Sequence, residues 1–278
     1  MAMNSVVTNH GAIVALQSLN RTTDALSIVQ KRVSTGVRVA DAKDDGGAFA
    51  AALAVRSDTA GLQAVNEQLG GIKGVVETTF ASLGKVSDTM KELRQVVTRL
   101  ADGSTNTEQR TQYNAQFTAL TTQIGTFLDD AKYNGRSLLS TDTAAGGGNI
   151  DVLRNEDAQT FVLTATDGAA VKTALTVSGG FATAAAAATF LTTTFNTQEG
   201  AVATALNRYG TDLKYVENQI TFNADKIDSL NNGLGALVDA DLAKESAKLQ
   251  ALQVRQQLGI QTLGLANQGP QVLLSLFR

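Results

Sequence analysis

The chain has 278 residues and a mass of 29.0 kDa, enough for one large domain or two small ones. Its formal net charge is −3 with a pI near 5.3, which gives no electrostatic case for nucleic acid. It has no cysteine and a single histidine, His10, so disulfides, thiol nucleophiles, thiolate metal sites and any multi-histidine zinc site within one chain are excluded.

Residues 1–12 lack a basic region, an apolar region and an Ala-x-Ala site, so no cleaved secretory signal is expected. Ala12, Leu16, Leu19, Thr23, Leu26, Gln30 and Val33 share one face of an N-terminal helix. Val65, Leu69, Ile72, Val76, Thr79, Leu83, Val86, Met90, Leu93, Val97 and Leu100 then step alternately by four and three, and ten of these eleven are apolar. A sustained 3.5-residue repeat marks a helix in a left-handed coiled coil. Asp102-Gly103-Ser104 ends it, and Thr105-Asn106-Thr107-Glu108 predicts a capping box for a second helix. That helix carries Tyr113, Phe117, Leu120, Ile124, Phe127 and Ala131 and stops at the turn Tyr133-Asn134-Gly135.

The stretch from about 137 to 200 is different: acidic, threonine-rich and opened by Gly146-Gly147-Gly148. Residues 160–164 and 174–177 read as strands joined at Thr166-Asp167-Gly168, and residues 184–195 as a short helix. The 4-3 repeat then returns at Val202, Leu206, Tyr209, Leu213, Val216, Ile220, Asn223, Ile227, Leu230, Leu234 and Leu237, again ten of eleven apolar. Asp239 or Asp241 can cap a last helix bearing Leu242, Leu249, Leu252, Ile260 and Leu263. Both terminal stripes are narrow and polar, and such helices are marginal alone, so the ends are expected to stay disordered until covered.

The predicted fold is therefore mainly α: an elongated antiparallel coiled-coil or helical bundle built from both chain ends, with a small β-containing central insert. Residues 1–40 and 240–278 form the terminal coiled coil. Residues 41–136 and 200–239 form the long-helix bundle, whose seam includes Leu69, Ile72, Leu83, Leu93, Leu206, Leu213, Ile220 and Leu230. Residues 137–199 form an outward-facing insert with a β-hairpin and a short helix. Two uncharged stretches, 173–198 and 256–277, lack the apolar density of a membrane span, so no membrane insertion is expected.

No catalytic constellation survives inspection. Asp44-Asp45, Asp129-Asp130 and Asp239/Asp241 sit at turns or helix ends, where carboxylates favour N-termini and solvent. Gly70-Gly71-Ile72-Lys73-Gly74 lies inside the 4-3 repeat and lacks the strand–loop–helix setting of a phosphate loop; close helix packing is the simpler role. His10 has no second histidine beside it. Catalytic, cofactor and metal sites are accordingly expected to be absent. Amphipathic ends that one chain cannot bury are instead what self-association requires. An open head-to-tail contact would give a helical filament, although the stripes alone suit a closed oligomer or a hetero-complex equally.

Residues 26–45, LSIVQKRVSTGVRVADAKDD, resemble the N-terminal signature of bacterial flagellins. Gly46 to Leu62 resembles the short flagellins of the alphaproteobacterial branch, and Tyr133-Asn134-Gly135-Arg136-Ser137-Leu138-Leu139 resembles the family's turn after the second helix. Asn218 to Leu252, and Ala266-Asn267-Gln268-Gly269-Pro270 to Leu276, resemble the flagellin C-terminus. The resemblance covers about residues 1–140 and 200–278. It implies a structural, non-enzymatic subunit that self-assembles, with sibling flagellins where present, into the extracellular flagellar filament. The chain ends would form the inner layer, with Leu16, Leu19, Leu26, Leu249, Leu252, Leu263, Leu273 and Leu274 as assembly positions. Arg38, Lys43, Asp44 and Asp45 would form the subunit-interface motif between the two helical layers.

The resemblance further implies export through the flagellar type III apparatus, an export chaperone bound at residues 249–276, and contacts with the filament cap and hook-junction proteins. Thr164, Thr166, Thr173, Thr176 and Ser178 are candidates for O-glycosylation. Two departures stand out. Asn66-Glu67 replaces the family's Arg-Asn before the long helix. Lys91-Glu92-Leu93-Arg94-Gln95-Val96 departs from the family's innate-immune recognition stretch, which implies weak recognition. The alternative identity is the flagellin-like hook–filament junction protein, which shares both termini.

Overall fold

The computed structural model describes residues 8–276, with side chains described to residue 268. Its elements in chain order are α1 (His10–Thr35), α2 (Gly46–Ala101), α3 (Thr107–Asp129), β1 (Ile150–Leu153), β2 (Thr160–Leu163), α4 (Gly168–Leu175), α5 (Ala184–Phe190), a π-helical turn (Leu191–Phe195), α6 (Asn196–Val238) and α7 (Leu242–Leu276). The chain divides into two compact units, residues 58–228 and residues 1–57 with 229–278.

In the 58–228 unit, the 4-3 repeat of α2 is the spine of the core. Leu69, Val76, Thr79, Leu83, Val86, Met90, Leu93, Val97 and Leu100 are all buried. Thr79, the one polar member, donates its hydroxyl to the Val75 carbonyl at 2.8 Å and so buries no unpaired group. The α6 stripe is shallower: Val202, Tyr209, Val216 and Asn223 are buried, while Leu206, Leu213 and Ile220 are half-buried against the same core. Of the expected seam, Leu69, Leu83 and Leu93 are buried and Ile72 is half-buried; Leu230 is half-buried within the other unit.

A polar layer fixes how α2 and α6 meet. Asn223 donates to Asn66 Oδ1 at 3.0 Å and to the Arg154 carbonyl at 3.2 Å. Asn66 donates to the Ile220 carbonyl at 3.4 Å. Lys73 pairs with Glu217 at 2.9 Å, and Arg94 pairs with Glu199, so the two helices run antiparallel. A buried Asn at a seam position selects one register, because every slipped register strands its amide. Asn66 therefore ties this chain to itself at the position where the family's Arg-Asn is replaced.

The central insert differs from the sequence reading in three places. β2 forms as expected, but it pairs antiparallel with β1, Ile150 opposite Leu163, not with residues 174–177. Those residues close α4, because Asp167 caps that helix through the Ala170 N–H at 2.9 Å and Val171 and Leu175 recur at helical spacing. The expected separate helix at 184–195 runs into α6 through the π-helical turn. Phe190 and Phe195 would stand about 140° apart on an α-helix. The wider turn brings both into the core, at 8% and 0% exposure.

The capping box of α3 is shifted by one residue: Asn106 and Gln109 exchange hydrogen bonds at 2.9 and 3.2 Å, and Thr105 donates to the Arg99 carbonyl instead. Residues 137–199 share the core of the long helices through Leu138, Ile150, Leu163, Leu175 and Phe181. Tyr209, fully buried, donates to the Leu138 carbonyl at 2.9 Å, while Arg208 donates to the Thr164 carbonyl at 2.9 Å and to the Thr166 hydroxyl at 2.5 Å. These bonds lock the insert onto α6.

Leu93→Ala should cost about 2–5 kcal/mol of stability in urea unfolding, as a fully buried leucine does. Leu213→Ala, at a half-buried position, should cost clearly less. Equal losses would show that α6 packs more deeply than this core allows.

Candidate assembly surface

In the other unit, α1 packs antiparallel along α7. Asn9 caps α1 through the Ala12 N–H at 3.0 Å, and its amide donates to the Ala266 carbonyl at 2.8 Å. At the far end of α1, Arg32 faces Glu245 at 3.9 Å, and Lys248 pairs with the same carboxylate at 2.6 Å. Between these ties the contact is a heptad seam. Leu19, Thr22, Leu26, Val29 and Val33 of α1 are buried or half-buried, as are Glu245, Leu249, Leu252, Gln256, Gly259 and Leu263 of α7. The two ends thus cover one face of each other along this seam.

The seam on α1 is turned relative to the expected stripe. Leu19 and Leu26 face α7, but Leu16 is 48% exposed, Gln30 faces solvent, and Thr23 lies exposed at the edge, where its hydroxyl accepts from the Gln256 amide at 3.5 Å. Thr22 and Val29 take the buried positions instead, and Leu19 lies against Gly259, where a Cβ would stand 3.2 Å from its side chain. On α7, Leu249, Leu252 and Leu263 are half-buried, whereas Leu242 and Ile260 are exposed. Leu273 and Leu274 lie outside the residues whose side chains are described.

The motif expected at 38–45 is a pinned loop. Gly36 ends α1 at φ +74°, a left-handed conformation that suits glycine, and its N–H reaches the Arg32 carbonyl at 2.9 Å. The next residues run against the junction of α6 and α7. The Arg38 N–H donates to the Val238 carbonyl at 2.7 Å, its guanidinium donates to the Leu237 carbonyl at 2.6 Å, and the Ala240 N–H donates to Gly36 at 3.0 Å. Val39, Ala52 and Val238 close a small core beneath.

Asp44 and Asp45 divide the remaining work. Asp45 caps α2 through the Ala48 N–H at 3.0 Å, and Asp241 caps α7 through the Lys244 N–H at 3.0 Å. Asp44 accepts from the Ala40 and Asp41 N–H groups at 3.1 and 3.3 Å and from the Lys31 ammonium at 3.2 Å. Lys31 also pairs with Asp41 at 2.7 Å, and the Lys43 N–H donates to Asp41 at 2.9 Å. The Ala40 N–H, and then Lys31, hold the Asp44 carboxyl below its ordinary value; Lys31, and then the Lys43 N–H, do the same for Asp41. Lys31 and Asp41 were not singled out from the sequence, although their spacing from Asp44 offers ion-pair partners only once the loop folds back.

Around the insert, Thr164, Thr173, Thr176 and Ser178 are exposed, while the Thr166 hydroxyl is engaged by Arg208 and Tyr209. Arg94, in the stretch that departs from the recognition motif, bonds Asn196 at 2.9 Å and lies 5.0 Å from the Phe195 ring centre. Among the described residues, no helix is long and apolar enough to cross a membrane, and no group of three or more acidic or histidine side chains could hold a metal ion.

A long-helix bundle, a paired set of chain ends and a loop pinned between helix termini define a helical assembly protein. Residues 6–144 match the bacterial flagellin N-terminal helical region, and residues 196–277 match the bacterial flagellin C-terminal helical region. The chain is 37% identical to flagellin FljK of Caulobacter vibrioides over 281 residues, covering 100% of both. It is 34% identical to a flagellin of Brucella melitensis over 288 residues, covering 99% of this chain and 100% of that one. A chain from Vibrio parahaemolyticus described as a flagellar hook-associated protein shares the fold at a TM-score of 0.55 and 13% identity, covering 70% of this chain and 100% of that one. The chain belongs to the bacterial flagellin family.

Two measurements test the pinned loop. Asp44 should titrate below about 3.9, the value of a free aspartate. Its contribution to loop stability is then fully present above that pH and is lost as pH falls through the lowered value; a carboxyl NMR titration with a midpoint at or above 3.9 would contradict it. Gly36→Ala should cost about 1–2 kcal/mol in unfolding measurements, because alanine resists the left-handed conformation.

Proposed function

We propose that this chain is a structural subunit of the bacterial flagellar filament, an extracellular polymer built by self-association. The observation that carries the reading is the apolar surface left over on the terminal pair. Beyond their shared seam, Ile13, Val14, Leu16 and Ile28 of α1 and Leu242, Val254, Leu258, Ile260 and Leu265 of α7 are 47–71% exposed. A two-helix pair buries one face of each helix, and these side chains form the other faces. Nine large apolar side chains left in solvent on one helix pair are the kind of surface that marks an interaction site. Further copies of the same pair are the partner that repeats along a filament.

End-to-end similarity to flagellins favours the filament subunit over the hook–filament junction protein. The 38–45 loop serves as the interface motif joining the two helical layers, with 1–40 and 240–278 innermost and 137–199 facing outward. Catalysis has no role in this reading: Asp44 and Asp129 are ion-paired with Lys31 and Lys172, and Asp45 and Asp241 cap helices. Export proceeds unfolded through the flagellar type III apparatus without a cleaved signal. Before export a chaperone covers residues 249–276, and at the growing structure the chain meets the cap and hook-junction proteins. Sibling flagellins co-assemble where present. Thr164, Thr173, Thr176 and Ser178 are the accessible hydroxyls for O-linked sugars.

Purified chain, seeded and viewed by negative-stain electron microscopy, should form long helical filaments. A chain lacking residues 1–40 and 240–278 should form none. A full-length chain that stays monomeric or closes into small rings would overturn the filament reading.

A further inference from the structure

Within the 58–228 unit, α2, β1 and the 133–136 turn enclose a depression of about 290 Å³. Its walls are apolar: Ile72 and Val75 from α2, Val152 and Leu153 from β1, and the ring of Tyr133. Gln68, Asn134, Arg136 and Asp151 stand around it. The two glycines of α2 here do different things. Gly74 makes room for the Tyr133 ring, which a Cβ there would approach to 2.7 Å. Gly71, which lines the depression, relieves nothing: a Cβ there would meet no atom within 4 Å. A glycine inside a helix weakens it, and at Gly71, as at Gly70 and Gly84 of the same helix, no close contact within this chain requires the missing side chain. At Gly71 its absence leaves the space open.

The same unit carries a side chain of matching character on another element. Phe222 of α6 is 60% exposed, the most exposed aromatic among the described residues, although α6 buries its neighbour Asn223 completely. Its neighbours one turn away on the helix are polar: Asn218, Gln219, Asp225 and Lys226. An aromatic anchor ringed by polar groups, and an apolar hollow edged by polar groups, are the two halves of a standard protein interface. A cavity of about 150 Å³ already accepts benzene, so the hollow has room for a phenyl ring.

We propose that Phe222 of one copy seats in the Gly71–Tyr133–Leu153 hollow of the next. The inference rests on the filament reading and specifies one of its contacts. Knob and hollow belong to different elements of one chain, so the contact is heterologous. A heterologous contact leaves a free knob at one end and a free hollow at the other, and it propagates as an open helical polymer where its rotation does not close a ring. The occupant is a second copy because the complementary side chain is on the same molecule, in a protein whose relatives are flagellins.

The test replaces Phe222 with p-benzoylphenylalanine, which keeps the aromatic knob, in the full-length chain. Isotopically heavy and light chains are mixed, polymerised, irradiated and mapped by mass spectrometry. The expected result is heavy–light cross-links from position 222 to residues 68–75, 133–136 or 151–153. In parallel, Phe222→Ala should raise the critical concentration for polymerisation at least about tenfold, as loss of an interface anchor does. Gly71→Leu, which fills the hollow, should do the same; the Phe222→Ala monomer should keep wild-type melting, and the Gly71→Leu monomer should melt no lower than wild type, since leucine favours the helix more than glycine. Filaments whose cross-links fall elsewhere, or either variant polymerising at the wild-type concentration, would overturn the contact and leave the filament reading standing. Failure of the unmodified chain to polymerise would overturn both.

Discussion

The antiparallel seam between α2 and α6 is the constraint on which the 58–228 unit depends. Even the contacting pair Arg94 and Glu199 lies 105 positions apart in sequence, so the union of the two helices closes a long loop before any contact is gained. The 4-3 apolar repeat makes the union favourable, and Asn66 with Asn223 makes it unique. Once that register is set, the Arg154 carbonyl is held by Gln219 and Asn223 at 3.0 and 3.2 Å, and the β1–β2 hairpin is delivered onto the helices. Tyr209 and Arg208 then fasten the far end of the insert. The insert is therefore folded by the bundle and not beside it.

In the terminal unit the same repeat is spent differently. Each of α1 and α7 uses one face for the other and leaves a second apolar face in solvent. The polar seam positions, Thr22, Gln256 and the Arg32–Glu245–Lys248 cluster, set alignment at the expense of burial. An ion cluster at 8% side-chain exposure for Glu245 is weak evidence of stability and better evidence of specificity. A pair built in this way is aligned but not self-sufficient, which is what a subunit completed by its neighbours requires. The loop 36–45 shares that logic. Its carboxylates cap a helix and collect backbone N–H groups, so charge there organises the chain.

What sequence determined was periodicity and punctuation. The α2 repeat from Val65 to Leu100, its end at Asp102, strand 160–163, the Tyr133-Asn134-Gly135 turn and the Asp241 cap were legible because each depends on neighbours within a few residues. The motifs shared with flagellins were legible for the same reason. The 38–45 segment was legible as a motif, but its ion pairs were not, because Lys31 becomes a neighbour of Asp41 and Asp44 only when the loop turns back at Gly36.

Tertiary structure decided which of several locally acceptable patterns won. Residues 174–177 carry strand-like composition, yet Asp167 and the Val171–Leu175 spacing close a helix there, and β2 takes Ile150–Leu153 as its partner. On α1, two 4-3 stripes overlap at Leu19, Leu26 and Val33, and packing against α7 buries the one through Thr22 and Val29. Phe190 and Phe195 conflict on an α-helix, and a shared core resolves the conflict with a π-helical turn. In each case the sequence offers the pattern, and the free energy of burial against a distant partner chooses its phase.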